Sequence, residues 1–228
     1  HLAIFSEIVQ GIESEARKLG YATLICNTED DPKIEKECLN RLRNGFVDGI
    51  IIASTGRNNH LLRDIKSSGI AIAQIVRQQD PSITSIVADY EACGYEAVQF
   101  LAAKGCRQIG LINGSMQLAP YKGRYIGYSR AIQELQLVEN CCECHLPVNS
   151  FEYGYECANR LLDNCPDLDA IIAAVDVQGL GAIRALKGQG ISIPDQVRLI
   201  SLTGHTVGGM LETSMTSLEI PAHEMGEK

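Results

Sequence analysis

Hydrophobic positions along this chain follow two periods that take turns. Residues 2–19 place Phe5, Ile8, Val9, Ile12, Ala16 and Leu19 on one helical stripe, and Gly20 supplies a left-handed stop. Tyr21 to Cys26 then reads as a short apolar strand. Asp31-Pro32 reads as an N-cap followed by proline at the first helical position, with Ile34, Cys38, Leu39 and Leu42 on one face of the helix. Val47 to Ala53 is a strand whose consecutive Ile50, Ile51 and Ile52 are expected of a strand covered on both sides.

The cadence continues. A helix over 59–67 meets Gly69 and a strand at 70–76. A short strand at 84–88 leads into a helix at 90–103, then Gly105 and a strand at 107–112. A helix carrying Arg124 runs to about 136, followed by a strand-like 144–148, a helix at 151–163 and a strand at 169–174. A helix at 177–188, Gly190 and a strand at 197–202 come next. Thr216 to Ile220 is a last strand before Pro221 and the first turn of a further helix. Strands alternating with helices predict right-handed βαβ crossovers and a mostly parallel sheet, an α/β fold. A doubly wound domain opens on a strand, so a strand is expected before His1. About ten strands fit two α/β lobes better than one sheet. The expected break lies near Lys104-Gly105, giving lobes 1–104 and 105–216 with residues 217–228 returning to the first.

Composition narrows the function. With 28 acidic and 20 basic residues the net charge is −8, and no dense basic run offers a phosphate-neutralising surface. The residues shown are therefore not expected to grip DNA themselves. No apolar run reaches the roughly 20 residues a bilayer requires, so no membrane partner is expected. The nine cysteines are odd in number and irregularly spaced, which favours reduced thiols in the cytoplasm over a disulfide framework.

Arg124 is the first residue with candidate chemistry. The apolar strand Ile109-Gly110-Leu111-Ile112 ends in the turn Asn113-Gly114-Ser115, and Gly123-Arg124 opens the next helix. A cation in a first helical turn faces the positive end of the macrodipole, where about 0.3–1 kcal/mol favours an anion. It is either a surface cation paired with a neighbouring carboxylate or a group facing a ligand beyond the strand ends, where open α/β sheets bind ligands.

Further motifs stand in order along the chain: Gly11-Ile12-Glu13, Gly20-Tyr21, Asn27-Thr28, Asp31-Pro32, Val47-Asp48-Gly49-Ile50-Ile51 and Lys104-Gly105-Cys106-Arg107-Gln108-Ile109-Gly110. They are followed by Gly123-Arg124 with Gly127-Tyr128, Gly154-Tyr155, Gly181-Ala182 with Ala185-Leu186, Ile193-Pro194-Asp195-Gln196-Val197, and Thr216-Ser217-Leu218 before Pro221. The ordered set resembles the effector-binding core of LacI/GalR-type transcriptional regulators, itself similar to type I periplasmic sugar-binding proteins, over essentially the whole chain. The resemblance implies two doubly wound parallel-sheet lobes joined by three crossovers, a sugar-like effector in the cleft and a homodimer. It implies a repressor whose helix-turn-helix, reaching operator DNA, lies outside this chain, as do the first core strand and the C-terminal end. An exported solute-binding protein is the alternative.

The resemblance also assigns residues. Arg124 falls on the arginine that binds polar effector groups. Ile4 and Phe5 fall where bulky side chains meet the ligand, or belong simply to the helix stripe. Ser54 matches a position that reaches the cleft, or caps a loop. Asp89 and Asp176 match acidic positions, or cap the helices that follow them. Departures are expected to matter: Val175-Asp176 replaces Asn-Asp, Val76-Arg77 replaces Asp-Arg, and Thr203 stands in place of an acid with His205 nearby. Such a cleft is less anionic and suits a different or negatively charged effector.

Other chemistry is not expected. Cys141-Cys142-Glu143-Cys144-His145 carries zinc-type ligands, but near-adjacent residues on a strand alternate faces and rarely wrap one tetrahedral ion. The strand-to-helix turns lack G-x-G-x-x-G, P-loop and G-x-S-x-G spacing, so neither enzymatic activity nor a cofactor is expected.

Overall fold

The alternating periods are realised as two parallel sheets, each in its own compact unit. The structure is a computed structural model describing residues 3–45, 47–143, 148, 150–204, 212, 213 and 215–228.

The N-terminal unit holds residues 7–88, 118–120 and 222–228. Its sheet runs β1 (Gly49–Ile52), β2 (Ala71–Ile75), β3 (Ser85–Ile86) in that order, all parallel. The helices are α1 (Ala3–Lys18), whose first residues belong to the other unit, α2 (Pro32–Asn44) and α3 (Asn59–Ser67). Asp31 caps α2 as its position suggests, accepting from the Lys33 and Ile34 amides at 2.6 and 3.3 Å. Gly20 stops α1 with φ of 81°. Leu39, Ile50, Leu62, Ile65, Ile72 and Ile83 form the core.

Two expectations fail here. Tyr21 to Cys26 is not a strand: its backbone joins neither sheet, and Tyr21, Leu24 and Ile25 are 56%, 73% and 62% exposed. A strand exists only when a neighbour completes its ladder, which an apolar run cannot supply by itself. Nor is β1 covered on both sides, since Ile50 is buried and Ile51 is 52% exposed.

The C-terminal unit holds residues 1–6, 89–117 and 121–221. Its strands are β4 (Ile109–Ile112), β5 (Asn140–Cys142), β6 (Ala170–Ala173), β7 (Arg198–Ser201) and β8 (Thr216–Ser217), parallel in the order β5-β4-β6-β7-β8. Helices α4 (Tyr90–Ala103) and α5 (Ala119–Glu134) cover one face; α6 (Phe151–Asn164) and α7 (Asp176–Gly188) cover the other. The short α8 (Ala222–Glu227) returns to the N-terminal unit. Successive residues of β4 alternate faces, Ile109 and Leu111 toward α4 and α5, Ile112 toward α6 and α7. This explains the unbroken apolar runs of the central strands.

β5 lies at 140–142, earlier than the strand expected at 144–148, of which 144–147 fall outside the described residues. The pair Cys141 and Cys142 packs to opposite faces of the sheet, as strand alternation requires. The break expected near 104 falls elsewhere: α4 belongs with the C-terminal unit, because Ala97, Val98 and Leu101 pack on Ile109, Leu111 and Tyr128.

α4 and α5 meet backbone to backbone. A Cβ on Gly94 would run into the Arg124 carbonyl oxygen, and one on Gly127 into that of Glu91. Two glycines in register thus set the crossing that positions Arg124.

Candidate functional site

In the C-terminal unit the ends of β4, β6 and β7 point the same way, and the residues just beyond them are Asn113, Asp176 and Thr203. Parallel packing places such carboxyl ends where an open α/β sheet receives ligands. Arg124 joins them from α5.

The reason sequence suggested for singling out Arg124 needs correcting. α5 begins at Ala119, so Arg124 lies past the first turn, where the macrodipole has little purchase. It is not a surface cation either, being 3% exposed. Its Nη2 donates to the Leu202 carbonyl at 3.1 Å, and the guanidinium carbon sits 5.0 Å from the Tyr90 ring centre and 6.0 Å from that of Tyr121. The Nε is buried without an acceptor. Burial pulls the guanidinium's pKa down, while Tyr90, Tyr121, Cys93 and Asp176 oppose that fall. An arginine stays charged in a protein, so the site stores a buried cation.

The acid beside it is occupied. Asp176 is the first residue of α7, not its cap, and accepts the Ser201 hydroxyl through Oδ1. Thr203, 7% exposed, accepts the Asp176 amide on its Oγ1 at 3.1 Å. Val175 is the cap residue, its amide donating to Gln178 Oε1 at 3.3 Å. Asp89 does cap a helix, its Oδ1 accepting from the Ala92 amide at 2.9 Å, and is exposed. Phe5 is half-buried and Ile4 buried on α1. His205 lies outside the described residues, as do Cys144 and His145. Among the described residues, no three His, Cys, Asp or Glu side chains gather to hold a metal.

Two residues beside Arg124 were not singled out from sequence as candidates. Asn113 is fully buried: its Nδ2 donates to the Tyr121 carbonyl at 3.2 Å while its Oδ1 has no donor. Tyr121 lies with its ring against Gly114, whose missing side chain leaves it room. The available signal was place alone, since Asn113 directly follows a strand.

Ser54 and Arg77 lie in the N-terminal unit. Ser54 is fully buried and caps its loop, accepting the Gly56 amide at 3.0 Å. Arg77, 5% exposed, is held bidentate by Asp30 at 2.5 and 3.0 Å. An acid distant in sequence therefore neutralises a cation that has Val76 beside it where the family carries an acid. Val76 before it has φ of 66°, with the Arg77 amide donating to the Ile75 carbonyl at 2.7 Å. That is a γ-turn, strained at a β-branched residue. Glu35, 1% exposed, accepts from the Thr55 amide and hydroxyl and from Asn58 Nδ2 at 2.7–2.9 Å, fixing the loop behind Ser54.

Comparison with known proteins agrees with this fold. Residues 2–228 match the family described as periplasmic binding proteins and sugar binding domain of LacI family. The chain is 34% identical over 229 residues to the HTH-type transcriptional regulator DegA of Bacillus subtilis, covering 97% of this chain and 67% of that protein. It is 26% identical over 222 residues to the ribose operon repressor of Halalkalibacterium halodurans, covering 97% of this chain and 65% of the repressor. Among solved structures, a periplasmic binding protein/LacI transcriptional regulator from Alkaliphilus metalliredigens, complexed with D-xylulofuranose, is 26% identical with a TM-score of 0.85. That likeness covers 98% of this chain and 82% of the other. The chain thus spans about two thirds of the regulators' length, and it belongs to the family of periplasmic binding proteins and LacI-type sugar-binding domains.

Proposed function

We propose that this chain is the effector-binding core of a ligand-responsive transcriptional repressor of the LacI type, active in the cytoplasm as a homodimer. Operator DNA would be met by a segment outside the chain, consistent with its net charge of −8. The effector is a small sugar-like molecule. Arg124, Asp176 and Thr203 would meet it at the carboxyl ends of β4, β6 and β7. The observation that carries this reading is Arg124, buried at 3% exposure with an unpartnered Nε beyond those strand ends. A structural arginine would have its donors met by the fold, whereas a recognition arginine keeps one for the ligand. Binding would couple to DNA through a two-state shift that the effector biases.

The test is a thermal-shift screen over sugars, sugar phosphates and nucleobases, because a ligand of the native state raises apparent stability. At least one hit is expected among the sugars or their phosphates, and Arg124→Ala should abolish its shift while leaving a folded dimer. A variant that keeps the full shift would remove Arg124 from the site.

A further inference from the structure

We infer that Cys142 and Cys157 form a peroxide-oxidisable thiol pair whose disulfide ties the edge strand β5 to α6 beside Asn113. Cys142 ends β5, at the edge of its sheet, on the face that α6 and α7 cover. Cys157 stands opposite it on α6, in the same packed cluster. The Cys157 Sγ lies 3.8 Å from the Cys142 carbonyl oxygen, and the same thiol is in hydrogen-bonding contact with the Cys142 sulfur. Both are free thiols in this structure. Sulfurs in contact need only a short approach of side chains that already face each other to bond.

Their surroundings separate these thiols from the neighbouring ones. The Cys157 donor does most to hold the Cys142 thiol below its ordinary 9.0; burial opposes it, Arg160 adds to it and Glu143 subtracts. Arg160 follows Cys157 along α6 and reaches this end of β5, donating to the Glu143 carbonyl at 2.8 Å. Cys141 faces the other side of the sheet, where burial, then Glu143 and Glu139, pushes its thiol up to about 12. Burial is also the main cause that raises Cys26, Cys93, Cys106 and Cys165. The thiolate is the form that attacks an oxidant, so a donor and a cation beside Cys142 select it. Cys142 keeps 5% exposure at the sheet edge, while Cys157 behind it has none. That is the placement of an attacking thiol with a resolving thiol in reserve.

Hydrogen peroxide is the oxidant. The Cys142 thiolate attacks one peroxide oxygen; an S–O bond forms, the O–O bond breaks, and the departing hydroxide takes a proton to become water. The Cys157 sulfur then attacks the sulfenic sulfur of Cys142. The S–S bond forms, the S–O bond breaks, and the second hydroxide leaves with the Cys157 proton as water. Two thiols and one peroxide thus give one disulfide and two waters, with both sulfurs oxidised and the peroxide oxygens reduced. The bond bears directly on the end of β4. The Cys142 carbonyl accepts the Asn113 amide at 3.4 Å, and Tyr153, one turn before Cys157, donates its hydroxyl to the Asn113 carbonyl.

Titration of the native wild-type chain with hydrogen peroxide, then alkylation of the remaining thiols and mass spectrometry, tests this without any variant. Cleavage after Glu139, Glu143 and Glu156 puts Cys142 and Cys157 on separate peptides, and fragmentation tells Cys142 from Cys141. The first disulfide to accumulate should join Cys142 to Cys157, and dithiothreitol should reverse it. The oxidised chain should melt several degrees higher, because the bond constrains the unfolded state. Cys157→Ala, checked for native circular dichroism, should stop at a Cys142 sulfenic acid that dimedone captures. Cys142→Ala should leave Cys157 reduced. Free Cys142 and Cys157 after other cysteines have oxidised would overturn the pair, as would a first link from Cys142 to Cys141 or Cys144. An oxidised chain that melts lower would also overturn it, since the native packing would then resist the bond.

Discussion

Charged side chains enter the interior of this protein with partners already built around them, and the contrast with Arg124 is instructive. Glu35 is met by three donors, and Asp80, with no exposed side-chain surface, accepts from the Ser82 hydroxyl and amide and from Arg63 Nε at 2.6–2.9 Å. The Ser82 hydroxyl, then its amide, then Arg63 hold the Asp80 carboxyl down to about 2, below the ordinary 3.8. A depressed carboxyl stabilises the fold above its unfolded pKa, and that contribution disappears as pH falls from about 4 toward 2. Ser82→Ala should therefore cost about 1 kcal/mol near neutral pH by chemical denaturation. Its deficit against wild type should shrink across that acid window; a deficit that grows on acidification would contradict the assignment. None of this was legible in sequence. Asp80 and Arg63 are separated along the chain, and nothing in their own neighbourhoods marks them as a pair.

Helices and turns were more readable, because their signals are local. The Asp31 cap and the stop at Gly20 depend on neighbouring residues alone and stand where the pattern puts them. The failed strand at 21–26 and the late start assigned to the Arg124 helix share another cause, since pairing partners and the packing that extends a helix come from elsewhere. The crossing of α4 and α5 is of that second kind. Gly94 and Gly127 carry no individual signature, yet each stands against a carbonyl of the opposing helix. Gly127→Ala should push the helices apart at a cost of about 1–3 kcal/mol, read as a lower thermal midpoint. It should also weaken effector binding, because Arg124 lies one turn away on the same helix. A variant with wild-type midpoint and affinity would show that the crossing does not hold the site.

At the scale of the whole molecule, large apolar side chains remain uncovered. Phe151 and Tyr155 are 39% and 40% exposed on α6. Exposed apolar clusters mark association surfaces, and the expected association is a homodimer. Sedimentation equilibrium should give twice the chain mass, with Tyr155→Glu shifting the protein toward monomer. A wild-type monomer at every concentration would refute the dimer.

Periodicity and glycine placement suffice for the α/β class and for most helices, since those depend on residues a turn apart. The family could be read the same way, as an ordered set of short motifs. What surrounds Arg124 could not. Its burial, the engagement of Asp176 by Ser201 and the unmet oxygen of Asn113 arise where three strand ends and a helix converge. Hydrogen bonds and desolvation act over a few ångströms of space, and the groups they join here lie up to 78 residues apart along the chain.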